Sequence, residues 1–265
     1  IVLTLLFVYG FGWGIAGSAW GTVIAQSAMA LGLVLVVLHR AGLGRDALHP
    51  QPAGILRAAL DGFPLFLRTV ALRAAIVVTV WAAAAGGNTA LASHHVAMTV
   101  WSALAFTLDA LAIAAQALVG LAIGSGDRAL ARAIAGWLLT WGVGLGAVLA
   151  VLVWSLRVPL AHLFTADPQV VERVTVVLAL VAAGQLVAGY VFVADGVLMA
   201  AGDFRYLAVA MVLALAVYLP FVVLARGRAE DPEVLLRMLW LGYLWFTTAR
   251  AVTLWWRIRG PAWLP

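Results

Sequence analysis

The sequence contains no cysteine and no lysine, and it has few charged residues of any kind. The absence of cysteine excludes disulfide bonds, thiol catalysis and cysteine-ligated metal sites. Charged residues make up only 10% of the 265 residues, whereas a soluble domain has roughly 25%. Because 65% of the residues are hydrophobic and the mean hydropathy is +1.08, the composition predicts an integral membrane protein.

Several functional motifs are also missing. The sequence has no P-loop, no HExxH and no GxSxG elbow, which argues against an enzyme and against a self-contained ATP-driven pump. Its sixteen basic residues are all arginines spread among helix ends and short loops. Because they form no basic stripe, nucleic-acid binding is rejected. No cofactor and no metal site is predicted.

The longest apolar stretch runs from Thr89 to Gly126 and contains no proline. About 33 helical residues would span about 50 Å, more than the roughly 30 Å hydrocarbon core of a bilayer. Asp109 lies in its middle and Gln116 follows two turns later. A carboxylate at that depth costs several kcal/mol unless it faces protein or water. This helix is therefore expected to do more than anchor the chain.

The chain is predicted to cross the membrane seven times after a short apolar run, Ile1–Tyr9, that is too short to span a bilayer. Because the sequence opens in mid-run without a methionine, we expect an N-terminal part to be missing from it. The predicted spans cover residues 18–38, 63–85, 89–126, 128–156, 168–201, 204–225 and 232–256.

Aspartates open five of these spans, and their simplest interpretation is as helix caps favoured by the helix dipole. They are Asp61, Asp127, Asp167, Asp203 and Asp231. Residues 55–60 are interpreted as a short interfacial helix, which would end before an Asp61 cap with Pro64 in the following first turn.

Five polar or charged residues lie well inside the predicted spans, and they are the candidate substrate and proton pathway: Arg68, Arg73, Asp109, Gln116 and Asp195. Depths counted from the helix ends pair Arg73 with Asp109, and Arg68 with Asp195 or Gln116. These groups are either satisfied structural pairs or a site in which a carboxylate releases its arginine to take a proton or a cation. Arg250 is expected to extend to the membrane interface.

Two adjacent histidines, His94 and His95, lie one turn into the long helix. Neighbouring residues on a helix point about 100° apart, so the pair cannot bind one metal in the usual i, i+4 manner. Capping or interfacial packing and proton exchange at the outer mouth both remain open for them.

Several stretches resemble the multidrug and toxic compound extrusion (MATE) family, in its DinF-like branch, in the family's order along the chain. The matching stretches are GFGWGIAGSAWGTVIAQ (10–26), TALASHHVA (89–97), LDALAIAAQALVGLAIGSGD (108–127), HLFTADPQV (162–170) and DGVLMAAGDFRYL (195–207). The resemblance implies an all-α fold of two six-helix lobes. It assigns residues 1–38 to the end of helix 5 and helix 6, residues 39–62 to a cytoplasmic inter-lobe linker, and residues 63–258 to the C-terminal lobe.

The resemblance implies secondary active efflux of amphipathic or cationic compounds by cation antiport with alternating access. Helix 7 of this sequence has Arg68 and Arg73 but no acid, which disfavours the sodium coupling of the family's other main branch and favours protons. The implied partners are a small-molecule substrate, H⁺, the lipid bilayer and the missing N-terminal lobe, and the implied location is a bacterial cytoplasmic membrane. A flippase for a lipid-linked saccharide precursor and a non-transporting membrane protein are the alternatives.

Overall fold

The structure, a computed structural model, describes residues 2–40 and 52–264. All regular elements in these two ranges are helical, as the sequence predicts. They are α1 (Val2–Leu5), a π-helical turn (Leu6–Gly10), α2 (Gly14–Arg40), α3 (Pro52–Ala84), α4 (Gly87–Gly124), α5 (Arg128–Phe164), α6 (Pro168–Ala200), α7 (Phe204–Arg226) and α8 (Pro232–Arg259).

Within the described ranges, six helices are long and apolar enough to cross a membrane, namely those from α2 to α7. The sequence predicted a seventh span in residues 232–256. Helix α8 has the length, with 28 residues, but it is not among the six. Its tryptophans, threonines and Arg250 lower its hydropathy, and many of its apolar residues are buried against other helices.

The aspartate caps are confirmed at three of the five predicted positions. Asp127 accepts a hydrogen bond from the Leu130 amide, and Asp167 and Asp231 cap α6 and α8 in the same way. Asp203 is the residue before α7 but makes no capping bond. Its carboxylate instead accepts a 2.6 Å hydrogen bond from Arg257 of α8.

The predicted break before the second span is wrong. Helix α3 is continuous from Pro52 to Ala84, so Asp61 and Pro64 both lie inside it. A proline removes one backbone donor, but membrane helices tolerate it when local adjustments satisfy the freed carbonyl. Residues 52–62 of the predicted linker are therefore helical, and its residues 41–51 lie outside the described ranges.

The chain divides into two compact units, and the division falls inside α3, between Ala59 and Leu60. In the first unit, two glycines let α2 approach the preceding segment closely. A Cβ on Gly17 would lie 2.8 Å from the Phe7 carbonyl, and one on Gly21 would lie 3.0 Å from the Thr4 nitrogen.

In the second unit, α6 is the central helix and packs against α4, α5, α7 and α8. Three glycines allow the backbones of α5 and α6 to touch, because a Cβ on Gly189 would lie 2.1 Å from the Gly142 carbonyl oxygen and 3.1 Å from the Gly146 Cα. Helix α3 joins this unit partly through a buried hydrogen bond of 2.6 Å between Thr79 and Tyr218 of α7.

Candidate functional site

One buried carboxylate connects three helices of the second unit. Asp195 of α6 accepts a hydrogen bond of 2.7 Å from Arg68 of α3 and one of 2.5 Å from Arg250 of α8, both on Oδ2. Only 10% of the Asp195 side chain is exposed, and the exposed fractions are 15% for Arg68 and 9% for Arg250. The charges are therefore shielded from lipid and satisfied by one another, which an intramembrane ion requires.

Close packing of α4 on α6 brings a second carboxylate near this cluster. A Cβ on Gly196 would lie 2.4 Å from the Ala112 carbonyl oxygen, so the two backbones are in contact next to Asp195. Asp109 lies one turn before Ala112 and within electrostatic range of Asp195 and of both arginines that bind it. Unlike Asp195, Asp109 is exposed.

The two acids and two arginines form a group that we name the charge cluster: Arg68, Asp109, Asp195 and Arg250. Its formal charge is zero when both carboxylates are ionised. Asp195 is held in place by two cations, whereas Asp109 makes no ion pair within the part of the chain that the structure describes. Asp109 is thus the exposed member of the charge cluster, and Asp195 is the paired one.

The predicted contact between Arg68 and Asp195 is present, but the one between Arg73 and Asp109 is wrong. Arg73 is exposed, and none of the ion pairs among the described residues includes it. Arg68 and Arg73 are five residues apart, so their side chains diverge by about 140° around the helix. Only one of them can face α6.

The ends of α4 and α6 lie at different levels. A Cβ on Gly120 of α4 would lie 3.9 Å from the Cβ of Ala200, which is the last residue of α6. Four further residues of α4 extend beyond that level, to Gly124. The last turn of α4 therefore extends past the end of α6.

Gln116, the other predicted partner of Arg68, does not contact it in the described structure. It lies seven residues after Asp109, which places both on the same side of α4 within about 20°, and both are exposed. The two residues define a polar face of α4 that the other helices of this unit leave uncovered.

Sequence reasoning missed Arg250, which is 8% exposed and bound to Asp195 rather than extended to the interface. A signal for this was present in the buried side of α8, where inward residues recur every three or four positions. They are Leu236, Leu239, Tyr243, Thr247, Arg250 and Leu254. This spacing marks one helical face, and Arg250 lies on it.

The two histidines separate as the helical geometry requires: His94 is fully buried and His95 is exposed. The His94 ring lies 5.8 Å from the Trp240 ring of α8, and neither of its nitrogens has a hydrogen-bond partner among the described residues. Interfacial packing is therefore wrong for His94, which belongs to an aromatic core with Trp101, Trp240 and Tyr243.

Apolar helices long enough to cross a bilayer, together with a charge cluster inside them, define a multi-pass membrane protein of the transporter class. The family model for MatE matches residues 67–224. The chain belongs to this family of transporters, the MATE family, and is not an enzyme.

Known relatives agree with this assignment. The chain is 32% identical over 271 residues to Protein DETOXIFICATION 45, chloroplastic, of Arabidopsis thaliana, covering 99% of this chain and 46% of that protein. It is 24% identical to the Multidrug export protein MepA of Staphylococcus saprophyticus, and the match covers 86% of this chain and 51% of that protein. The bent form of the Vibrio cholerae MATE transporter VcmN has the same fold, with a TM-score of 0.77 and 19% identity over 97% of this chain and 59% of that one.

The chain spans about half the length of the curated relatives that it matches. The solved MATE transporter covers almost all of this chain with about three fifths of its own length. The prediction of an all-α membrane fold of the MATE type is thereby confirmed.

Proposed function

We propose that the full-length protein exports amphipathic, cationic organic compounds in exchange for protons, by alternating access. The observation that carries this proposal is the exposed Asp109 beside the buried Asp195 and Arg250 and the partly buried Arg68. Export of drugs is supported by the name of the relative MepA, a multidrug export protein.

The charge balance of the cluster supplies the coupling. With both acids ionised the cluster is neutral, and the exposed Asp109 can bind a cationic substrate. Proton uptake by Asp109 leaves a net charge of +1, which repels that substrate at short range in a medium of low dielectric constant. A proton and a cationic substrate thus compete for one carboxylate, as antiport requires.

Asp195 has a positioning role in this scheme. Its bonds to Arg68 of α3 and Arg250 of α8 hold both arginines at one side chain of α6. Removal of its charge would leave two cations together without a counterion, so in this scheme Asp195 holds the arginines in place and Asp109 is the exchanging carboxylate. Arg73 and Gln116 extend the proposed pathway along the exposed surface of the lobe.

The lobe assignment is part of the proposal. Residues 1–38 would be the end of helix 5 and helix 6 of an N-terminal lobe, residues 39–62 the cytoplasmic connection, and residues 63–258 the C-terminal lobe. We propose a bacterial cytoplasmic membrane as the location and the DinF-like branch as the subgroup. The half-length match to relatives supports the two-lobe arrangement.

The test is transport by the full-length protein in proteoliposomes with an imposed pH gradient and ethidium as the substrate. Wild type should export ethidium and move protons in the opposite direction. Asp109→Asn should lower pH-driven export at least tenfold while the protein still folds. Glu230→Gln, an exposed acid outside the cluster, is the matched control and should transport normally.

Two outcomes would overturn the proposal. If a sodium gradient drives export and a pH gradient does not, proton coupling is rejected. If Asp109→Asn transports like wild type, the coupling carboxylate lies elsewhere in the protein.

The flippase alternative is favoured by one observation, the exposed Arg73. A cationic side chain on the lobe surface suits a pyrophosphate better than a cationic drug. Arg68, however, is satisfied by Asp195, which leaves the surface with less free positive charge than a pyrophosphate site would need. Lipid-linked saccharide translocation in the same vesicles, lost in Arg73→Gln, would favour this alternative.

A further inference from the structure

A basic cavity lies at the start of α5, on a different helix from the exposed carboxylate of the charge cluster. It has a volume of about 620 Å³ and is lined by Arg128, Ala129, Arg132, Ala133, Pro261 and Leu264. Both arginines are exposed, and neither takes part in an ion pair among the described residues. The carboxylate of neighbouring Asp127 accepts a hydrogen bond from the Leu130 amide.

The second wall of the cavity is held in a fixed position. After α8 the chain folds back, and Trp263 is 2% exposed with its indole N–H donating to the Ile258 carbonyl at 3.0 Å. Trp263 belongs to the same apolar cluster as Ala135 and Leu138 of α5. Pro261 and Leu264 are thereby positioned beside the arginines, which makes the cavity a built feature of the fold.

Below the cavity, an exposed apolar stripe continues along α5. Ala129, Ala133, Trp137 and Trp141 follow one another at four-residue intervals, so they lie on one side of the helix. The tryptophans are 64% and 58% exposed, and their rings are 5.8 Å apart. From Arg132 to Trp141 the helix rises about 14 Å, which is close to the thickness of one leaflet of the roughly 30 Å hydrocarbon core.

We propose that this cavity binds an anionic phospholipid. Arg128 and Arg132 bind the phosphate, since paired guanidinium groups suit phosphate oxygens. The acyl chain runs along Ala133, Trp137 and Trp141. Basic pockets at the ends of membrane helices are known to bind lipid head groups, and the exposed tryptophan rings offer an apolar surface to the acyl chain.

The test measures binding of dioctanoyl phosphatidylglycerol to the purified full-length protein by microscale thermophoresis. We expect it to bind at least tenfold more tightly than dioctanoyl phosphatidylcholine. Arg128→Ala with Arg132→Ala should abolish this preference. The matched control, Arg173→Ala with Arg228→Ala, removes the same charge from residues that do not line the cavity and should retain it.

A second variant keeps the charge and removes the space. Ala129→Leu with Ala133→Leu fills the cavity while leaving both arginines in place, and it should weaken phosphatidylglycerol binding at least fivefold. Equal loss in the control arginine variant would mean general electrostatic attraction and would overturn the site. Equally tight binding of glycerol phosphate would show that a free phosphate compound is the ligand and would overturn the lipid assignment.

Discussion

Asp195 has two cationic partners, Arg68 and Arg250. Removing its negative charge is therefore expected to lower the stability of the protein more than removing either arginine. Asp195→Asn would leave Arg68 and Arg250 buried without a counterion, whereas Arg68→Gln leaves the bond between Asp195 and Arg250 intact. Breaking a buried pair by removing one partner costs about 3–5 kcal/mol. We expect Asp195→Asn to lower the folded yield of the full-length protein far more than Arg68→Gln, measured by fluorescence size-exclusion chromatography.

A double variant distinguishes the cost of an unpaired buried charge from a simple loss of contacts. Asp195→Asn with Arg68→Gln leaves one unpaired cation instead of two, so it should fold better than Asp195→Asn alone. If the double variant folds worse than both single variants, the contacts contribute independently and the buried-charge explanation fails.

The ring nitrogens of His94 are buried on folding but gain no hydrogen bond among the described residues. An unsatisfied buried group costs about 1–3 kcal/mol. His94→Leu preserves most of the volume and removes that cost, so we expect a thermal midpoint equal to or above that of wild type. His95→Leu, on the exposed side, is the control. A clear drop for His94→Leu would mean that the ring has a hydrogen-bond partner in the full-length protein.

At the scale of helices, the contact between α5 and α6 depends on glycine. A Cβ on Gly189 would lie 2.1 Å from the backbone oxygen of Gly142, and two backbones cannot yield as a flexible side chain would. Gly189→Ala should therefore separate the helices and destabilise the protein by about 1–3 kcal/mol. Gly136→Ala, on α5 with nothing within 4 Å of the added carbon, should not lower the thermal midpoint. Equal midpoints for the two variants would show that the helices separate without cost.

The helices of this lobe were largely predictable, because long apolar runs and aspartate caps are local signals. Asp127, Asp167 and Asp231 cap as expected. Prediction failed at two places: α3 continues through Pro64, and a contact with α8 lets Asp203 bind Arg257 in place of a cap.

The candidate site shows the same limit. Its polar residues could be found from the sequence, but their partners depend on helix rotation and on which helix ends are level. Arg250 was assigned to the interface although the spacing of its neighbours places it on the inner face of α8. The two arginines point in different directions around α3, so Arg68 binds Asp195 and Arg73 is exposed.

At the scale of the molecule, the polar face of α4 lies on the surface of the second unit. Asp109 and Gln116 lie inside a membrane-spanning helix yet are exposed. Polar groups at that depth have to face protein or a water-filled cavity rather than lipid. Because the chain spans 46% of its relative DETOXIFICATION 45, we propose that the other lobe encloses this face.

The 265-residue chain expressed alone in an efflux-deficient bacterial strain should insert into the membrane but not export ethidium, while the full-length protein should. Dye efflux, followed by fluorescence at matched expression levels, is the measurement. Robust export by the chain alone would contradict the two-lobe proposal, and membrane insertion without export would support it.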